Sequence, residues 1–84
     1  MEIDPKSGTG YYRLHSGKGK VAYSIEIADM VVADYDEQGT VLGIEFVEAR
    51  KHLADAEKYV MLANQKSKGP QKTPQTVPQK VSAR

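Results

Sequence analysis

The spacing of the apolar residues changes once along this chain, near Glu48, and this change restricts the fold more than any other feature of the sequence. Before Glu48, apolar residues recur at every second position, most clearly in residues 21–27, which is the period of a half-buried β-strand. After Glu48 they recur at steps of four and three residues, which places them in one stripe along a helix. We therefore predict strands first and then one helix, which ends before Gly69-Pro70. The stripe consists of Ala49, Leu53, Ala56, Val60 and Ala63.

Four segments have the composition of strands: residues 11–14, 21–27, 30–35 and 41–47. The acidic segment 36–39, which ends in Gly39, predicts a hairpin turn with a positive φ at the glycine. Residues 18–20 suit a turn between the first two strands, and only residues 28–29 separate the next two. The predicted fold class is α+β: a three- to four-stranded antiparallel β-meander with one C-terminal α-helix, followed by a disordered tail.

The formal net charge of +1 combines two segments of opposite sign. Residues 1–65 contain 7 basic and 11 acidic residues, whereas residues 66–84 contain five basic and no acidic residues. The second segment is also poor in apolar residues, and three Pro-Gln pairs recur in it at positions 70, 74 and 78. Such a segment buries too little surface to offset its chain entropy. We predict a folded domain over residues 1–65 and a disordered basic tail over residues 66–84.

Several classes of protein are excluded by composition. The chain has no cysteine, so a disulfide scaffold and thiolate chemistry are ruled out. Its apolar runs are far shorter than the roughly 18 residues of a membrane span. The first four residues, which include Glu2 and Asp4, are acidic where a secretory signal is basic. We expect a soluble, cytoplasmic protein with no membrane association.

One segment of the sequence resembles a metal-binding motif. Asp34, Asp36 and Glu45 stand at positions 1, 3 and 12 of a segment with glycine at position 6, as in an EF-hand loop. That motif needs a helix on each side, whereas the flanking residues alternate as strands do, so we predict an acidic hairpin turn. His15 and His52 stand in no metal-ligand spacing. We predict no metal site, no cofactor and no catalytic residues.

The order of the motifs resembles a known family. Asp4-Pro5 is followed by the strand at 11–14, by the hairpin segment 31–39 with its Asp-Tyr-Asp sequence, and by Gly43-Ile44-Glu45. This succession is similar to that of the small prokaryotic and phage proteins grouped as domain of unknown function twenty-two eighty-three, and it covers about residues 1–53. The resemblance implies a bacterial, uncharacterised protein with no activity or catalytic residues to carry over. Because some members of the family stand in gene pairs like those of toxins and antitoxins, it also implies protein binding.

One helix covers only one side of a sheet, and this bears on the oligomeric state. Tyr11, Val32, Val41 and Val47 are predicted to give the other side some apolar character. A body of this size buries only about 60% of the surface of its unfolded chain and is marginally stable alone. We therefore predict a homodimer, formed through that face or through the helical stripe.

Two functions follow from these features. The first is a small non-enzymatic protein-interaction module, with an antitoxin-like role as its more specific form. The alternative is a nucleic-acid-associated protein that acts through its basic tail. The residues predicted to contact nucleic acid or a partner are Lys66, Lys68, Lys72, Lys80 and Arg84.

Overall fold

A computed structural model describes residues 1–14 and 19–70 of the chain. It contains five strands, a short 3₁₀ segment and one α-helix. Most of the predicted tail, residues 71–84, lies outside the described residues. The elements are β1 (Glu2–Ile3), β2 (Gly10–Arg13), β3 (Tyr23–Ala28), β4 (Val31–Tyr35), β5 (Val41–Phe46), the 3₁₀ segment (Ala49–His52) and α1 (Ala56–Lys66).

The five strands form one antiparallel sheet in the order β1-β2-β5-β4-β3. The predicted α+β class, with an antiparallel sheet and one C-terminal helix, is confirmed. The hairpin between β4 and β5 is confirmed as well, and Gly39 has the expected positive φ of 86°. The turn between β3 and β4 has Met30 at a φ of 62°.

The position of β2 differs from the prediction that it would pair with β3. Its partners are β1 and β5, so the chain between β2 and β3 passes from one side of the β4–β5 hairpin to the other. Alternation shows which residues of a strand share a face, but it does not identify the neighbouring strand. The last strand therefore lies at the centre of the sheet and joins the N-terminal strands to the rest.

The hydrophobic core lies between one face of the sheet and the helical segments. Alternate residues of the strands point to it, and α1 contributes small side chains, so that the helix approaches the sheet closely. Gly10 shows how tight the packing is, because a Cβ atom there would lie 2.6 Å from the Cβ of Ala49. The buried cluster consists of Ile27, Val31, Ala33, Tyr35, Val41, Ile44, Phe46, Ala49, Ala56 and Ala63.

The α-helix begins at Ala56, about two turns later than the change in apolar spacing predicts. Residues 53–55 form a turn between it and the 3₁₀ segment, and Leu53 is 61% exposed instead of lying in the buried stripe. Neither helical segment has a side-chain cap hydrogen bond at its start. Without a capping residue near position 47, the local sequence does not determine where the helix begins.

The residues after α1 are attached to the hairpin turn. The Ser67 hydroxyl donates a hydrogen bond of 2.7 Å to the Gly39 carbonyl, and the Lys68 amide donates one of 3.0 Å to the Tyr23 hydroxyl. The predicted domain boundary after Gln65 thus falls inside α1, and Lys66 is the last residue of the helix. Among the described residues, no helix has the length and apolar character needed to cross a membrane.

Candidate interaction surface

The side of the sheet opposite α1 is not covered by any other element of the described chain, and we call it the open face. Strand register arranges its side chains in two rows that cross the sheet. Most of these side chains are polar or charged. The first row contains Glu2, Tyr11, Glu45, Val32 and Glu26, and the second contains Arg13, Gly43, Asp34 and Ser24.

Gly43 allows side chains of neighbouring strands to meet on the open face. It is buried under the ring of Tyr11, and a Cβ atom at this position would clash with the Tyr11 ring and hydroxyl oxygen. The Tyr11 ring therefore extends across β5, and its hydroxyl donates a hydrogen bond of 3.1 Å to Oδ2 of Asp34 on β4. Because Gly43 has no side chain, this hydrogen bond can connect β2 to β4 across the strand between them.

The carboxylate of Asp34 is held from two sides. The hydroxyl of Ser24 on β3 donates a hydrogen bond of 2.6 Å to Oδ1, while Tyr11 occupies Oδ2. The guanidinium carbon of Arg13 lies 5.2 Å from the centroid of the Tyr11 ring, within the range of a cation–π contact. Tyr11 of the first row and Arg13, Asp34 and Ser24 of the second row therefore form one connected network on the open face.

This environment changes the acidity of Tyr11. Its pKa is raised to about 12, first by burial and then by the negative charge of Asp34, the hydrogen bond to Asp34 and the charge of Glu45. The positive charge of Arg13 opposes them. At neutral pH the Tyr11 hydroxyl is therefore a protonated donor to Asp34. Its contribution to stability is complete below pH 10 and is lost as the pH rises from about 10 to about 12.

We expect Asp34→Asn to lower the pKa of Tyr11, because the substitution removes the negative charge that disfavours the phenolate. The measurement is the pH dependence of the Tyr11 ring-carbon chemical shift in ¹³C NMR. Ser24→Ala is the matched control, since it removes a hydrogen bond to the same carboxylate and keeps the charge. If the two variants show the same Tyr11 pKa as the unmodified chain, Asp34 does not influence this group.

The three carboxylates of the EF-hand-like pattern have separate surroundings. Asp36 lies in the hairpin turn, where its Oδ1 accepts hydrogen bonds from the amides of Gln38 (2.8 Å) and Thr40 (2.9 Å). Asp34 accepts two hydroxyl groups on the open face, and Glu45 is exposed in the other row. In the part of the chain that the structure describes, no three His, Cys, Asp or Glu residues come together as a metal site.

Of the two histidines and the predicted tail residues, those that the structure describes do not lie on the open face. His52 packs against Phe46 and Tyr59 at centroid distances of 4.9 and 5.0 Å, and its Nδ1 lies 3.2 Å from Asp55. Lys66 and Lys68 are exposed near the end of the helix, and the Lys68 ammonium lies 6.0 Å from the Tyr23 ring. The remaining predicted positions, His15, Lys72, Lys80 and Arg84, lie outside the described residues.

The open face is more polar than we predicted from the sequence for the side of the sheet that the helix does not cover. Val41 is buried in the core beside Tyr35, because a bulge between β4 and β5 turns it to that side. Val47 follows the end of β5, so of the four predicted apolar residues only Tyr11 and Val32 lie on the open face. The polar residues at alternate strand positions, such as Ser24 and Glu26, are the feature of the sequence that indicates a polar surface.

A recess lies at the β1 end of the open face. Its volume is about 370 Å³, and Tyr11 and residues of β1 and β2 help to line it. Three of the lining residues, Glu2, Asp4 and Glu45, are carboxylates. A recess with carboxylates and one aromatic ring suits a lysine or arginine side chain.

Comparison with known proteins gives one match. The sequence model of a protein family described as "Protein of unknown function (DUF2283)" matches residues 1–50. No curated protein and no solved structure matches the chain. The matched segment contains all five strands and every residue of the open face, and it ends before α1.

Proposed function

This chain belongs to the DUF2283 family of proteins of unknown function, and we propose that it is a non-enzymatic protein-interaction module whose open face binds a basic segment of a partner protein. The observation that carries this proposal is the network of Tyr11, Asp34 and Ser24, which holds side chains of three strands in place on an uncovered sheet face. Side chains that are already ordered lose little entropy when a partner binds.

The charge of the open face supports a basic partner. The open face carries one basic residue, Arg13, and four acidic residues, which gives it a net charge of −3. The acidic residues are Glu2, Glu26, Asp34 and Glu45. A positive surface is attracted to such a face, and the resulting association is sensitive to salt. The acidic recess beside Tyr11 provides a position for one long cationic side chain.

An antitoxin-like role is the more specific form of this proposal. Proteins that act on nucleic acids carry positively charged surfaces, because they bind phosphates. A small acidic module that covers such a surface prevents the phosphates from reaching it. The net negative charge of the open face supports this role.

The test is co-purification of the partner from the native host with Glu45→Lys. This substitution reverses one charge at the recess, and we expect it to abolish recovery of the partner. Glu37→Lys is the matched control, since it makes the same change of charge on an exposed residue of the hairpin turn. Circular dichroism should show that both variants are folded. Recovery of the same partner with Glu45→Lys would contradict the proposal.

A second proposed function is nucleic-acid binding through the basic tail. It is supported by the five basic residues of 66–84, of which Lys66 and Lys68 are exposed where the helix ends. If it is correct, replacing Lys72, Lys80 and Arg84 by Gln in the full chain weakens binding to single-stranded DNA and reduces its salt dependence. Unchanged affinity would reject this function.

A further inference from the structure

We propose that residues 71–84 of this chain occupy its own open face when no partner is bound. The inference rests on the proposed function, because it assigns to the same acidic face a basic segment in cis that a partner must displace. Three observations support it: the place where the segment leaves the described body, its reach, and the distribution of charge over the two sides of the molecule.

The segment starts at the hairpin end of the sheet, at the turn between β4 and β5, where Lys68 also contacts Tyr23 on the helix side. Gly69 packs against Gly39 so closely that a Cβ atom on Gly39 would lie 2.7 Å from the Gly69 backbone. The hydrogen bond from the Ser67 hydroxyl to Gly39 holds the chain at this place. The strands that meet at the turn are those that carry Asp34 and Glu45. The segment therefore begins at one end of the sheet and reaches the open face by passing around the hairpin turn.

The segment is long enough to reach across the open face. Glu45 lies six positions after Gly39, which corresponds to about 20 Å along a strand. Residues 71–84 span about 43 Å if their prolines keep them extended. Four strand spacings amount to about 19 Å, so the segment can also cross the whole width of the sheet.

The charges favour the open face over the helical side. Residues 71–84 contain Lys72, Lys80 and Arg84 and no acidic residue, and the open face has a net charge of −3. Residues 48–66, which include the 3₁₀ segment and α1, contain four basic and three acidic residues, so this side has a net charge of +1 and does not attract the segment. Because the segment is tethered, its effective concentration at the face is in the millimolar range, and weak attraction is enough to populate the contact.

Paramagnetic relaxation enhancement tests the contact directly. The chain has no cysteine, so Ser82→Cys provides a single site for a nitroxide label near the C-terminus. We expect the amide signals of open-face residues such as Tyr11, Ser24 and Glu45 to broaden, and those of Lys58 and Met61 on α1 to broaden much less. Replacing Lys72, Lys80 and Arg84 by Gln in the labelled chain, or adding 0.5 M salt (a Debye length of about 4 Å), should remove the difference.

Other distributions of the broadening would overturn the inference. Equal broadening on both sides of the sheet means that the segment does not select the open face. Broadening that survives neutralisation of the three basic residues means that charge does not direct it. A mixture of labelled ¹⁴N chain and unlabelled ¹⁵N chain should show no broadening; if it does, the segment covers a second copy instead of its own sheet.

A binding experiment separates this inference from the proposed function. The probe is a ten-residue peptide of alternating lysine and threonine, titrated into the unmodified chain and into the variant with the three Gln substitutions. We expect the variant to bind the peptide about two- to tenfold more tightly, because its open face is unoccupied. Equal affinity for both overturns the inference and leaves the proposed function intact. If the peptide binds neither protein at the open face, the proposed function fails.

Discussion

Phe46→Ala should remove a large part of the stability of this protein. Phe46 is fully buried at the end of β5, its ring stacks on His52 at 4.9 Å, and it meets the Tyr59 ring edge-on at 5.5 Å. It therefore joins the sheet to both helical segments. Truncation of a buried phenylalanine costs about 3–5 kcal/mol, and a body of about 70 residues is stable by only about 4–10 kcal/mol. We expect a strong decrease in the midpoint of urea unfolding, followed by circular dichroism.

Val47→Ala is the control for this experiment. The residue follows Phe46 directly, but its side chain is exposed, so the substitution should change the free energy of unfolding by less than about 0.5 kcal/mol. Phe46→Leu keeps most of the buried volume and should lie between the two. If Phe46→Ala unfolds within about 1 kcal/mol of the unmodified chain, the aromatic cluster does not anchor the helical segments to the sheet.

Gly39→Ala should destabilise the protein for two separate reasons. The φ of 86° is unfavourable for a residue with a Cβ atom, and the new methyl group would meet the Gly69 backbone at 2.7 Å. To relieve this contact, the segment after α1 must leave the hairpin turn, which breaks the hydrogen bond from Ser67 to Gly39. We expect a total loss of about 2–4 kcal/mol, measured as the free energy of unfolding.

Gly8→Ala provides a matched control, because Gly8 has a similar φ of 81° and nothing lies within 4 Å of the position of its Cβ atom. It should show the backbone cost alone, about 1–2 kcal/mol. The difference between the two variants measures the contact between the turn and the segment. Hydrogen exchange at Ser67 and Lys68 should become faster in Gly39→Ala only. Equal losses in the two variants would show that the segment is not held by the turn.

Local patterns predicted the elements of the fold that depend on neighbouring residues. The hairpin turn at Gly39 and the α+β class were predicted correctly, because turn chemistry and the apolar period act over a few residues. The start of α1 was placed too early, since the stripe from Ala49 onward continues through a 3₁₀ segment and a turn. Apolar spacing reports the side of the chain that faces the core, and it does not require one uninterrupted helix.

The candidate site depended on contacts between residues that are distant in the sequence. In the sequence, Asp34 belongs only to a metal-like pattern, whereas the structure places it between Tyr11 and Ser24. The importance of Gly43 was not visible either, because it follows from the pairing of β2 with β5 and from the ring that lies across the glycine. Strand order is a property of the whole sheet, and no local pattern encodes it.

The sequence by itself therefore determined the class of this protein, its turn chemistry and the opposite charges of its two segments, since these depend on residue type and short-range spacing. Only the tertiary structure decided which strands are neighbours, and with that which charges share a surface. The central position of β5 brings Tyr11, Asp34 and Glu45 onto one acidic face. The attachment of Gly69 at the hairpin turn places the start of the basic segment at one end of the sheet, because chain contacts over long sequence distances form only when the sheet and helix pack together.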